Sequence, residues 1–239
     1  MFRSKLLLGI CLVTLFSVSA WADTIDFTPT SSGSLGVSSK TYGPITATAY
    51  VFNTTTNQWG LSTLWGRNDG SPEQGLGVCS EGTRSCNQGG DYNELSNETN
   101  QEMIVLTLDP GYTWLSIGLG SLDENSAGLP EQGVIAAGDS GDPNTSILFE
   151  LFCGFSGGGG STGLCSNSGG AAPDITLLPI SGSYSLFILP FDWNGNNPTN
   201  NDFLVRSAEI QANVPEPTSL FLLGTGLVGL AGKMRRRFL

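Results

Sequence analysis

Histidine is absent from all 239 residues, which excludes a nucleophile triad built on a histidine base and every metal site that uses imidazole. Basic residues are nearly as scarce. Six of the ten lysines and arginines lie within the first five and last seven positions, so residues 23–214 hold only Lys40, Arg67, Arg84 and Arg206. Twenty carboxylates in the same stretch against those four cations give a formal charge of −16. A surface of that sign repels nucleic acid and anionic lipid headgroups, and suits divalent cations or neutral or cation-bridged polysaccharide. No Cys-x-x-Cys pair is present and no segment recurs at a fixed period, so zinc ribbons and repeat architectures drop out as well.

What the chain does have is concentrated first at its two ends. Arg3 and Lys5 precede an apolar stretch from Leu6 to Val18, and Ala20-Trp21-Ala22 supplies small residues around a cleavage point. This is the three-part plan of a secretory signal peptide, residues 1–22, with a mature chain starting at Asp23; an uncleaved anchor is the alternative. At the other end, Pro217 to Gly232 gives 16 residues, roughly 24 Å of helix at about 1.5 Å per residue. That falls short of the ~30 Å hydrocarbon core. Lys233, Arg235, Arg236 and Arg237 follow at once, and their side chains reach the headgroups and make up part of the difference. Basic residues there hold the C-terminus in the cytoplasm and leave the body outside. A core helix would carry a polar stripe, whereas from Leu220 to Gly232 only Thr225 is polar.

Val214, then Pro215-Glu216-Pro217 with Thr218 and Ser219, then the apolar run and the arginine cluster, resemble the PEP-CTERM sorting signal of bacterial envelope proteins. The resemblance covers residues 214–239 only. It implies recognition by an exosortase, a membrane-embedded cysteine transpeptidase, acting near Pro215, Glu216 and Pro217. It also implies export across the inner membrane, a transient membrane anchor, and an envelope or extracellular destination. Phe238 and Leu239 after the arginines depart mildly from the pattern. Gly75-Leu76-Gly77-Val78, the acidic and asparagine-rich stretch 91–100, the strand from Glu102, and the last strand from Phe203 are similar to many ectodomains that carry this signal, which favours a β-sandwich.

Between the ends, residues 23–211 read as one domain, with 212–239 as the sorting segment. Short apolar or alternating segments are separated by Gly, Asn, Pro and Ser clusters. The spacing predicts strands at Thr24–Thr28, Ile45–Asn53, Gln58–Trp65, Glu102–Asp109, Thr113–Gly120, Ile147–Phe155, Asp174–Leu178, Tyr184–Phe191 and Phe203–Gln211. With no amphipathic helix among them, the fold expected is all-β, a two-layer antiparallel β-sandwich with jelly-roll-like connections, plus the single transmembrane helix. In Glu102–Asp109, Met103, Val105 and either Thr107 or a register-shifted Leu106 are expected on the inward face, and apolar residues on both faces mark the strand as central. Ile45, Ala47, Ala49 and Val51 form a one-sided apolar row. Gly66–Gln101 and Asp123–Thr145 read as long loops, and Gly157–Gly160 as a tethered bulge.

Cys11 leaves with the signal peptide, so four cysteines remain in an exported chain and read as disulfides. Four allow three pairings. The sequential one, Cys79 with Cys86 and Cys153 with Cys165, is favoured because each pair brackets a polar loop, worth roughly 2.5 and 3 kcal/mol by loop-closure entropy. Catalysis is limited to carboxylates. Asp91 with Glu94, or Glu98 with Glu102, would supply a glycosidase pair, but solvated loop acids are the simpler account. No cofactor is expected other than a structural calcium ion, for which Asp91–Glu94 and Asp139–Asn144 offer oxygen ligands. Trp65 and Trp193, at strand ends, are the candidates for stacking on sugar rings, while Trp114 belongs to the core. Asn53, Asn97 and Asn144 begin Asn-x-Ser/Thr sequons. The function expected is an exported surface or extracellular-matrix protein, exosortase-processed, non-enzymatic and associated with exopolysaccharide or biofilm. A carbohydrate-binding module is the alternative, and a secreted glycan hydrolase the next.

Overall fold

The computed structural model describes residues 21–80, 93–97, 100–122, 129–146, 148–163, 165–169, 174–177, 184–192, 201–213 and 224–228. Residues 22–211 form one compact unit, and residues 1–21 with 212–239 form another. Of the latter, residues 224–228 are helical and exposed. The remainder of the expected span lies outside the described residues, as do the signal peptide up to Ala20 and the Pro215-Glu216-Pro217 motif. Among the described residues no helix is long and apolar enough to cross a membrane.

The body is built from strands β1 (Ala22–Asp26), β2 (Gly33–Ser34), β3 (Ser39–Tyr42), β4 (Ile45–Asn53), β5 (Gln58–Leu61), β6 (Thr63–Asn68), β7 (Gln74–Cys79), β8 (Leu95–Ser96) and β9 (Glu102–Leu108). It continues with β10 (Tyr112–Gly120), β11 (Gln132–Gly138), β12 (Leu148–Ser156), β13 (Ser161–Gly163), β14 (Cys165–Asn167), β15 (Asp174–Leu177), β16 (Ser185–Pro190) and β17 (Asp202–Ala212). A nine-stranded sheet runs β14-β15-β10-β17-β7-β6-β2, with β1 and β8 also paired to β17. An eight-stranded sheet runs β13-β12-β11-β16-β9-β4-β3, with β5 added to β4. The expected all-β, antiparallel architecture is what the chain adopts.

Period-two alternation places one face of each sheet in a shared core. Ile45, Ala47 and Ala49 of β4 meet Ile104, Leu106 and Leu108 of β9 and Leu186 and Ile188 of β16 from one sheet. Leu64, Leu76, Val78, Trp114, Ile117, Phe203, Val205, Ala208 and Ile210 come from the other. Full burial of each large side chain contributes about 1.5–3 kcal/mol. Trp114 is fully buried and its indole N–H donates to the Tyr184 carbonyl at 3.0 Å, the partner a buried indole requires.

Three expectations are corrected. Met103 and Val105 point away from the main core, into a second cluster with Phe187 on the outer face of the eight-stranded sheet; the inward set is Ile104, Leu106 and Leu108, because β9 is a central strand buried on both faces. The segment Gln58–Trp65 is two strands, β5 and β6, one in each sheet. The supposed loops 66–101 and 123–145 contain β7, β8 and β11. Gly157–Gly160 closes the hairpin between β12 and β13, where Ser156 N–H donates to the Gly160 carbonyl at 3.0 Å.

Short crossings join the two sheets at both margins. On one side β2 ends at Ser34 and β3 begins at Ser39. Between them Leu64 N–H donates to the Val37 carbonyl of the crossing, and Ala49 N–H to that of Ser38. On the other, β13 ends at Gly163 and β14 begins at Cys165. Cys165 is bonded there to Cys153 of β12, with Cα atoms 5.6 Å apart. The disulfide therefore ties the margin of one sheet to the margin of the other.

Candidate functional site: a buried acidic ring on the nine-stranded sheet

Alternation in β7 sends Leu76 and Val78 into the core and turns Gly75 and Gly77 to the outer face. The reason for glycine is spatial. A Cβ on Gly77 would collide with the Asn93 carbonyl, and one on Gly75, whose φ is +141°, would lie 2.7 Å from the Val205 carbonyl. The chain at Asn93 and Glu94 lies directly against β7 and then continues as β8, pairing Leu95 with Phe203 and Ser96 with Asp202 of β17.

On this glycine floor a polar network assembles. Arg67 of β6, opposite Gly75, is buried. Its Nε donates to Asp69 Oδ2 at 3.0 Å, its Nη2 lies 2.7 Å from Glu73 Oε2, and its Nη1 donates to Glu94 Oε1. Ser121, held at φ +54° just past β10, places its Oγ 3.0 Å from Glu73 Oε1 and 2.8 Å from Glu94 Oε1. Burial first, and the Asp202 carboxylate second, push the Glu94 carboxyl well above the usual range, against the opposing pull of Arg67 and Ser121. Asp69 is drawn the other way, chiefly by the Ser32 hydroxyl and then by Arg67.

A second buried acid stands nearby on β9. Glu102 is 5 % exposed and accepts the Ser96 N–H at 3.0 Å. Burial, reinforced by Asp202 and opposed by bonds from Ser80 and Ser96, pushes it up to about 8.

These two glutamates were expected to be solvated loop acids; both are instead buried side chains that fasten segments to the sheets. Asp91 and Glu98, their proposed partners, lie outside the described residues. The asparagine-rich stretch gave a partial signal, because a short apolar Leu95 set among polar residues marks a pinned segment. Nothing in the local sequence pointed to Arg67, Glu73 or Ser121.

Trp65, a candidate for sugar stacking, is 7 % exposed and its ring is not available as a platform. It pairs with Gly77 across β6 and β7, on the same face as Arg67, and is covered. Trp193 lies outside the described residues. Among the described residues, the strand indole that retains partial exposure is Trp59, packed edge-on to Phe52 with centroids 5.2 Å apart. Cross-strand pairs put Tyr50 opposite Leu61 and Phe52 opposite Trp59 on one outer face, and Leu61 is 65 % exposed.

The Asp139–Asn144 loop uses its oxygens on itself and on β5. Asp142 Oδ1 accepts the Asn144 N–H at 2.9 Å, and Asp139 Oδ1 accepts the Ser146 hydroxyl at 3.1 Å. The Asn144 carboxamide accepts the Trp59 N–H at 2.8 Å and donates to the Trp59 carbonyl at 2.9 Å. Among the described residues, no three acidic or cysteine side chains gather into a metal-holding group. The Asn144 sequon is engaged by these bonds, and Asn53 Oδ1 likewise accepts the N–H groups of Thr55 and Thr56.

Cys153–Cys165 is bonded as expected. Cys79 is also disulfide-bonded, and its expected partner Cys86 lies outside the described residues.

Residues 213–237 match the family model described as the PEP-CTERM protein-sorting motif. That motif implies an exported, envelope-associated protein handled by an exosortase. No curated protein and no solved structure matches the chain.

Proposed function

Proceeding from that sorting motif, we propose that the protein is a non-enzymatic surface or extracellular-matrix component that associates with exopolysaccharide, as in a biofilm. The signal peptide is removed after Ala22, and Pro217 to Gly232 anchors the chain in the membrane until the exosortase acts near Pro215-Glu216-Pro217. The observation that carries the reading is the match over residues 213–237, joined to an acidic, disulfide-bonded body. The acids that looked most catalytic support it too. Glu94 and Glu102 are 1 % and 5 % exposed, spent on internal contacts instead of facing a substrate across a cleft.

The test is fractionation of cells with and without the exosortase, with intact mass measured on the exported form and co-sedimentation with the cell's own exopolysaccharide. Loss of residues beyond Pro217 and retention in the polysaccharide fraction are expected. A mature form that keeps the C-terminal segment refutes processing, and a form that washes free of polysaccharide refutes the matrix role.

The carbohydrate-binding alternative has one observation in its favour, the partly exposed Tyr50, Phe52, Trp59 and Leu61 surface. Under that reading Trp59→Ala abolishes binding to a neutral glycan while leaving export intact.

A further inference from the structure

The ring on the outer face of the nine-stranded sheet contains one more acceptor than its hydrogens can serve when every carboxyl is ionised. Ser121 Oγ lies within hydrogen-bond distance of Glu73 Oε1 and of Glu94 Oε1, at 3.0 and 2.8 Å. A hydroxyl has a single hydrogen. If both glutamates were ionised, one contact would set lone pair against lone pair in a buried site, where screening is weak. The charges are unbalanced in the same sense. One guanidinium touches Asp69, Glu73 and Glu94, and Asp202 adds its field to Glu94. The other described cations of the body are engaged elsewhere, Arg206 with Asp174 and Lys40 over the Tyr42 ring.

We propose that Glu94 binds a proton at neutral pH and that this proton completes a clasp holding residues 93–96 onto the sheet. With Glu94 protonated, every contact in the ring acquires a donor. The Glu94 hydroxyl donates to Ser121 Oγ, Ser121 donates to Glu73 Oε1, and Arg67 bridges back from Glu73 to Glu94. The site of the proton follows from exposure. The Glu94 side chain is 1 % exposed and that of Glu73 is 27 %, so the proton goes to the more deeply buried carboxyl. Glu94 Oε2 and Glu73 Oε2 are both buried without a hydrogen-bond partner, but Glu73 Oε2 faces the Arg67 guanidinium at 2.7 Å, whereas the bare Glu94 oxygen is tolerated far better as a neutral carbonyl than as half of a carboxylate charge. Burial, which holds the Glu94 carboxyl well above the usual carboxylate range, agrees in direction.

The groups facing Glu94 are Arg67 from β6, Glu73 from the turn before β7, Ser121 after β10, and Asp202 of β17. Deprotonation sets an ionised Glu94 beside Glu73 and Asp202 and frees the segment that lies over Gly77 and pairs with the start of β17. The site is thus a proton-operated fastening, tight in mild acid and loosened as the medium turns alkaline. The sign is that of a carboxyl whose folded value is raised: its contribution is fully present below the ordinary glutamate range and is lost as pH rises through the folded value.

The test compares wild type, Glu94→Gln and Glu73→Gln, purified in their exported form, by urea unfolding between about pH 5.5 and 7.5. Glutamine at 94 keeps the size of the side chain and removes the titrating proton; because Arg67 and Ser121 both contact the Oε1 position, its amide serves one of them at a time. The expected result is that Glu94→Gln folds and loses about tenfold per pH unit of the wild-type rise in unfolding constant, while Glu73→Gln keeps the wild-type dependence. An unchanged slope in Glu94→Gln, or flattening by Glu73→Gln instead, overturns the assignment. A carboxyl 13C titration of glutamate-labelled wild type decides the matter even if a variant fails to fold. An assigned Glu94 carboxyl still protonated at about pH 6.5 supports the clasp, and one already ionised there overturns it.

Discussion

Replacing Cys153 and Cys165 with alanine tests the way the two sheets are joined. The bond spans a sequence separation of 12, and closing a loop of that size in the unfolded chain is worth about 3 kcal/mol by chain-entropy arithmetic. Because β12 and β14 sit in different sheets, the bond also restrains the margins against sliding. About 3 kcal/mol corresponds to a unfolding constant raised roughly 100- to 200-fold. With a urea dependence of about 2 kcal/mol/M for a body of this size, the midpoint falls by roughly 1.5 M. In a thermal scan the same loss lowers Tm by about 6–12 °C. The double variant is preferable to added reductant, which would also open the bond at Cys79. Urea unfolding followed by tryptophan fluorescence reads a core that contains Trp114. A midpoint shift under about 0.5 M would refute the reasoning, since it would leave only about 1 kcal/mol for a cross-sheet tie.

Glu102, held at about 8 by burial, is protonated in the folded state at neutral pH; its contribution is full below the ordinary glutamate range and disappears as pH rises through about 8. Glu102→Gln is therefore expected to remove about tenfold per pH unit of the alkaline loss between roughly pH 5 and 8, and urea midpoints that rise over that interval in wild type would contradict the sign. Gly77→Ala drives a methyl into the Asn93 carbonyl and should cost at least about 2 kcal/mol, with new protease cuts between residues 80 and 100, whereas Gly60→Ala, whose nearest foreign atom is 3.9 Å away, should cost under about 1 kcal/mol. Asn144→Ala strips the carboxamide from the outward N–H and carbonyl of Trp59. We expect a loss of about 1–2 kcal/mol in thermal unfolding and concentration-dependent association in light scattering, because the freed edge of β5 can pair with another chain.

The strands read correctly from sequence are those in which alternation itself carries the signal. Ile45–Asn53 has the observed bounds, and Ile45, Ala47 and Ala49 are buried as the pattern required, while Val51 at the end of the row is only half-buried. β7 and β11 escaped because glycine and alanine replace the side chains that mark a pleat, on the outer face of β7 and on the core face of β11. In Gln74–Cys79 and Gln132–Gly138 the residues that would mark a pleat have been reduced to let other groups approach: Asn93 over Gly77, and Phe155 and Phe203 against Gly133. Close packing thus erased the periodicity that would have revealed it. The acidic ring was hidden for a different reason. Arg67, Glu73, Glu94 and Ser121 lie on four separate segments, and each alone reads as an ordinary loop or strand-end residue. The disulfide between Cys153 and Cys165 was readable because it is local; that it crosses from sheet to sheet was not, since the crossing takes place at the single step between β13 and β14.

The last strand carries a mechanical implication. β17 is the longest in the body, eleven residues, and lies in the middle of its sheet between β10 and β7. Residues 213–237 follow it in the sequence, and β1 runs alongside its last residues, from Asp26 opposite Ser207 to Ala22 opposite Gln211. A body held by its C-terminal end therefore receives any pull along an interior strand. The force is shared at once among many cross-strand hydrogen bonds loaded in shear, and no outer strand can be peeled away one bond at a time. In the proposed surface-held state, hydrodynamic drag on the body would enter through this interior strand.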